Sequence, residues 1–150
     1  MVLTDVQINE IADGLDSGMK CYYNLLTGNI KTIIDFDSWA GADDELWEDD
    51  INEIDEHFGD FFVFENMSSR DSFNLMVDFV DVVVDSNIQS KLINALNKSK
   101  PFRNFKHAID NSGEYRQQWF DFKKSRYIEW VKDQIETENE LNDFQKSLIE

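Results

Sequence analysis

Lys100-Pro101-Phe102-Arg103-Asn104-Phe105-Lys106-His107 alternates cationic and aromatic side chains, and Trp119-Phe120-Asp121-Phe122-Lys123-Lys124 repeats the mixture downstream. The chemistry such a block offers is capture of an anion: cations pair with carboxylates or phosphates, while rings supply apolar or stacking contact. On a helix, Arg103, Lys106 and Asp110 share one face, while Phe102, Phe105 and Ile109 turn inward. Arg116, Lys123, Lys124 and Arg126 follow on the next helical segment. The candidate binding residues are therefore Lys100, Arg103, Lys106, Arg116, Lys123, Lys124 and Arg126. The block stands out because the chain as a whole carries a net charge of −17.

Other chemistry is poorly provided for. Residues 35–65 hold thirteen Asp or Glu and no Lys or Arg. Read as a calcium loop from Asp35, the run fails: Trp39 breaks the alternation, Ala40 stands at the sharp turn and Leu46 at the twelfth position. Glu53 and His57 lie one helical turn apart, but two ligands without further Cys or His make a weak transition-metal site. The only histidines are His57 and His107, and neither lies in a hydrolase or metalloprotease motif. Cys21 alternates with Tyr23 and Leu25 on the expected core side of a strand and reads as a small buried hydrophobe. No glycine-rich phosphate loop is present. The reading assigns no catalytic residue, no metal and no cofactor.

Charge is unevenly placed. Residues 98–132 carry nine Lys or Arg against four acids, and residues 133–150 turn acidic with six acids against Lys146. Such poles steer partners or pair internally.

The elements that position the block follow from pattern. Thr4 with Gln7 makes a capping box before Ile8, Ile11, Ala12 and Leu15 at helical spacing, with Gly18 as the stop. Met19 to Asp35, broken at Thr27-Gly28, reads as a β-hairpin. Leu46, Trp47, Ile51 and Ile54 are spaced for a short helix inside the acidic run. Phe61-Phe62-Val63-Phe64 reads as a third strand. Ser68 and Asp71 open a helix from Phe73 to Val84 whose wet stripe is only Asn74, Asp78, Asp81 and Asp85, so a central position is expected. Ser86 starts another helix. Pro101 suits a first helical turn, and Asn111-Ser112-Gly113 breaks before a final helix from about Glu114 to about Glu136. The expected fold is α+β, a single domain over residues 1–150: a small three-stranded antiparallel sheet near the N-terminus and about five helices, mostly in the C-terminal half, with a frayed tail.

The Pro-Phe-Arg-x-Phe-Lys segment, the Trp119-Phe120-Asp121-Phe122 stretch, the hairpin with its Thr27-Gly28 turn, and Ser72-Phe73-Asn74-Leu75-Met76-Val77-Asp78-Phe79 together resemble an uncharacterised bacterial protein family catalogued under the number 0158. The resemblance covers about Leu3 to about Ile135. It implies a single-domain bacterial protein and carries over no catalytic residue.

The final helix shows apolar side chains on two sides, Tyr115, Trp119, Phe122 and Trp130 against Phe120, Tyr127, Val131 and Ile135. Either the sheet covers the second side or another molecule does, with Phe120, Tyr127 and Val131 then facing the partner. The lone Cys21, the absence of an apolar run near 20 residues and the polar start of the chain point to a cytoplasmic protein without a membrane anchor. The leading expectation is a non-enzymatic module that binds another protein or itself, as a homodimer. A nucleic-acid-linked regulator using residues 98–132 is the alternative, and a hydrolase with a dispersed site is the remote one.

Overall fold

The computed structural model describes residues 1–36 and 44–149. Trp39 and Ala40, which enter the calcium-loop comparison, lie outside the described residues. Helix α1 (Asp5–Asp16) is followed by strands β1 (Met19–Asn24) and β2 (Ile30–Ile34), a 3-10 turn (Asp44–Trp47) and α2 (Glu48–Glu56). A second 3-10 turn precedes β3 (Phe61–Phe64). Helices α3 (Ser69–Val82), α4 (Ser86–Leu96), α5 (Pro101–Asp110) and α6 (Tyr115–Ile149) complete the α+β fold. No helix among the described residues is long and apolar enough to cross a membrane.

The chain divides into two units, one of residues 1–66 with 127–150 and one of residues 67–126. Helix α6 gives its first turns to the second unit and the rest to the first.

In the first unit the sheet is antiparallel in the order β2-β1-β3, so the third strand joins the hairpin through β1. Helix α1 carries the expected capping box and buries Ile8, Ile11, Ala12 and Leu15. It lies so close to the sheet that a Cβ on Gly14 would stand 2.8 Å from Cys21 Sγ and 3.3 Å from Thr32 Cγ2. The opposite sheet face is closed by a cluster of Ile33, Ile54 and Phe61, packed with Tyr22, Trp47 and Ile51. Lys31 Nζ ties this layer together, 2.8 Å from Asp50 Oδ1 and 2.9 Å from Glu53 Oε2.

Leu25 departs from the expected core alternation and is exposed. The reason is local: β1 ends at Asn24, whose buried side-chain oxygen accepts the N–H groups of Leu26 and Thr27 and so turns the chain. The final helix also outlasts its expected end near Glu136 and runs to Ile149. Its last turns are rich in good helix formers, and the Asn139 amide bonds both the N-terminal amine and the carbonyl of Met1.

In the second unit the core is a group of rings. Phe105 packs on Trp119 with centroids 5.0 Å apart, as their spacing predicts, and Phe79 packs on Trp119 at 5.3 Å and on Phe122 at 5.4 Å. Leu92 and Ile109 are also fully buried in this unit. Helix α3 starts at the expected Ser68–Asp71 capping box. It is less enclosed than its apolar circumference suggests: Leu75, Met76, Phe79 and Val80 are buried, whereas Val77 and Val82 are exposed. Three helices supply too little surface to wrap a fourth on every side.

Candidate binding surface on the cationic helices

The two units differ sharply in charge. Residues 67–126 contain ten Lys or Arg against seven Asp or Glu, a net +3, while the remaining residues contain four against twenty-four, a net −20. A net charge of −17 therefore misdescribes the helical unit, which is the one cationic part of the protein.

Within that unit α5 and α6 enclose a groove of about 490 Å³. Its floor comes from Phe105, Ile109 and Trp119, all buried. Its rim carries Phe102, Lys106, Asp110, Arg116, Phe120 and Lys123. Pro101 at the first helical position sets the start of α5. Lys100, just before it, holds a left-handed backbone with φ 57°. The helical repeat then drops Phe105 and Ile109 into the core and leaves Arg103 and Lys106 outside. Phe102, expected to turn inward, is instead 43% exposed. It lies on the first turn, beyond the reach of the ring cluster, and becomes an apolar element of the rim.

Side-chain pairing sorts the cations. Arg116 Nε donates to Asp110 Oδ1 at 3.1 Å, occupying the acid that the sequence offered to Lys106. Arg126 pairs with Asp78 of α3 and lies 5.4 Å from the Phe122 centroid. These two residues are thus committed within their own unit. Arg116 also sits 4.7 Å from the Phe120 centroid, and Lys123 lies 5.4 Å from it and 5.7 Å from that of Trp119. Each cation is held over a ring face, an electrostatic contact that fixes its position. Lys100, Arg103, Lys106 and Lys124 are exposed. Arg103 and Lys106 form no ion pair among the described residues.

Of the residues read as facing a partner, Tyr127 is 7% and Val131 0% exposed. They are core residues, so of the two alternatives for that side of the helix, cover within the chain holds for this pair and a partner-facing position does not. Along α6, Trp119 and Phe122 belong to the unit ending at Arg126, and Tyr127 and Val131 to the other. Phe120 alone of the three stays half-buried on the groove rim.

The reactive-looking residues elsewhere are occupied. Cys21 is fully buried, its Sγ 3.7 Å from the Ile11 carbonyl. Burial, reinforced by the nearby Glu10 charge, pushes its thiol pKa up to about 12, which leaves no thiolate at neutral pH. Glu53 bonds Lys31, and His57 lies 3.8 Å from Asp60, so the two do not converge. Among the described residues no three His, Cys, Asp or Glu side chains gather to hold a metal.

A small antiparallel sheet between two helices and a net-cationic helical unit with a ring-lined groove define an α+β protein. The chain belongs to the uncharacterised protein family UPF0158, whose model matches residues 1–149. It is 31% identical over 132 residues to the UPF0158 protein PA5073 of Pseudomonas aeruginosa strain PAO1, covering 87% of this chain and 81% of that protein. No solved structure matches it. The stretches that carried the family resemblance, from the hairpin to the α5 and α6 segments, all lie inside the match.

Proposed function

We propose that this is a cytoplasmic binding protein that captures an acidic, aromatic-bearing segment of a partner protein in the α5–α6 groove. The observation that carries the reading is the groove's construction: an apolar floor of Phe105, Ile109 and Trp119 under the cations Lys106 and Lys123. An apolar side chain of the partner would fill the floor while its carboxylates meet the rim, combining desolvation with charge-assisted hydrogen bonds.

Nucleic acid is the second reading, favoured by the unit's positive charge. Single strands bind where successive bases find open rings. Here Phe120 is covered by Arg116 and Lys123, Trp119 is only 8% exposed, and Phe102 is the one open ring of the groove. A peptide fits that surface better than a strand.

Fluorescence polarisation against a labelled peptide of alternating Glu and Phe, in parallel with labelled oligo-dT, tests the choice. Saturable peptide binding that drops about tenfold or more with Lys106→Glu supports the proposal. Tighter oligo-dT binding with a steep salt dependence transfers the groove to the nucleic-acid reading. Sedimentation on the same samples identifies a second copy of the chain as occupant if the protein alone forms a dimer that Lys106→Glu dissolves.

A further inference from the structure

We infer that the outer edge of β3, in the acidic unit, is a docking ledge for an extended, Lys- or Arg-bearing segment of another protein, which adds to the sheet as a fourth strand. The site shares no residue with the α5–α6 groove and stands or falls independently of it.

Two observations fix which backbone groups face outward. In an antiparallel ladder the inter-strand bonds join directly opposed residues, and alternate residues point to opposite edges. Leu25 N–H donates to the Asp60 carbonyl at 2.8 Å, continuing the β1–β3 register in which Tyr23 opposes Phe62 and Cys21 opposes Phe64. Phe62 and Phe64 therefore bond to β1, and the backbone groups of Phe61 and Val63 point away from it; the Phe61 N–H is taken up by the Phe58 carbonyl, so Val63 is the residue that offers both groups outward. Glu65 agrees: its N–H donates to Gln134 Oε1 at 2.8 Å, and its carbonyl accepts from Gln134 Nε2 at 3.0 Å and Trp130 Nε1 at 2.8 Å. The Gln134 amide thus pairs with Glu65 as a residue of a neighbouring strand would. Among the described residues no group plays that part for Val63, one step along the same edge.

The edge opens into a groove of about 390 Å³ between β3 and α6. Phe62 and Val63, adjacent residues whose side chains leave opposite faces of the sheet, both line it, so it follows the strand's edge rather than one face. Val63 is 37% exposed. The remaining walls bring Trp130 and Thr137 together with Glu65, Asp133 and Glu138. A strand edge open at Val63, with an apolar wall and three carboxylates, selects a strand with apolar and cationic side chains. The chain's own basic block cannot supply it, because Lys98–Arg126 is helical apart from two short turns. The occupant is another protein.

A synthetic peptide of alternating Lys and Val, titrated into the full-length protein and followed by calorimetry and amide hydrogen exchange, tests the inference. Saturable binding should slow exchange at Val63 and leave Phe62, already paired to β1, unchanged. The same peptide N-methylated on every second backbone amide keeps its charge but cannot join the ladder, and should bind at least about tenfold more weakly. Asp133→Lys with Glu138→Lys, both on the α6 surface, should weaken the unmethylated peptide to a similar degree. Equal binding of the methylated peptide, or no change in Val63 exchange, or no saturable binding, overturns the ledge.

Discussion

The acidic unit and the cationic unit reach order by different routes. The first is a layered structure: α1 and α2 cover a three-stranded sheet, one pressed on so closely that Gly14 leaves no room for a Cβ, the other pinned by Lys31. The second has no sheet and depends on a few large rings meeting edge to face around Trp119. The difference teaches where each unit can spare side chains. A sheet exhausts its faces in packing and offers function its edge. A helical cluster built on rings needs only one stripe of each helix, so the outward stripes of α5 and α6 are free to carry charge.

The largest expected effect breaks the second unit alone. Trp119→Ala removes the ring shared by Phe79 and Phe105 and should cost about 3–5 kcal/mol, a large part of a small domain's stability. Amide exchange should show protection lost in α3 and α5 first. Protection lost equally in β1 would mean that the units do not respond separately.

Gly14→Ala probes the first unit by a similar logic. The new methyl collides with Cys21 Sγ, and overpacking should outweigh the helix-propensity gain, for a net loss of about 1–2 kcal/mol. Cys21→Ala in the same chain makes room, so the double variant should recover most of the loss relative to Cys21→Ala alone. Strict additivity in urea melts would place the clash elsewhere.

Lys31 gives a smaller, pH-dependent effect. Its side-chain hydrogen bonds to Asp50 and Glu53 raise its pKa above the ordinary lysine value, against a smaller opposing effect of burial. A raised folded-state pKa stabilises fully below the unfolded value of about 10.4 and is lost as pH rises through the folded one. Lys31→Met should therefore cost about 1 kcal/mol at neutral pH, and the gap to the parent should close only in strongly alkaline solution.

The smallest effect lies at the start of α3. The Ser68 backbone N–H and hydroxyl both bond the Asp71 carboxylate and hold its pKa below the usual range. That contribution is present above the unfolded pKa and lost as pH falls through the folded one. Asp71→Asn should lower the melting temperature slightly at pH 7 and not at all in acid beyond both pKa values.

The capping boxes at Thr4 and Ser68, the hairpin, the third strand and the Phe105–Trp119 contact were legible because each is written in neighbouring residues or in helical spacing. The charge poles were legible too; that the acidic stretches at 35–65 and 133–150 belong to one unit was not, because Tyr127 to Glu150 joins residues 1–66 only in the fold. Phe102 was misplaced, and Tyr127 and Val131 were left between two alternatives, for a related reason: spacing tells which residues share a side of a helix, not which molecule or unit meets that side. The β3 ledge depends on ladder parity and on Gln134, 69 residues from its partner Glu65, and local pattern contains neither.

In the proposed function, recognition of acidic segments belongs to the cationic unit. The direct measurement is a nitrogen–proton correlation spectrum of the uniformly labelled protein during titration with the Glu–Phe peptide. Saturable shifts are expected only in α5 and the first turns of α6, centred on Phe102, Lys106 and Phe120, and they should be lost in Lys106→Glu. Shifts concentrated in residues 1–66, or spread evenly over both units, would contradict it.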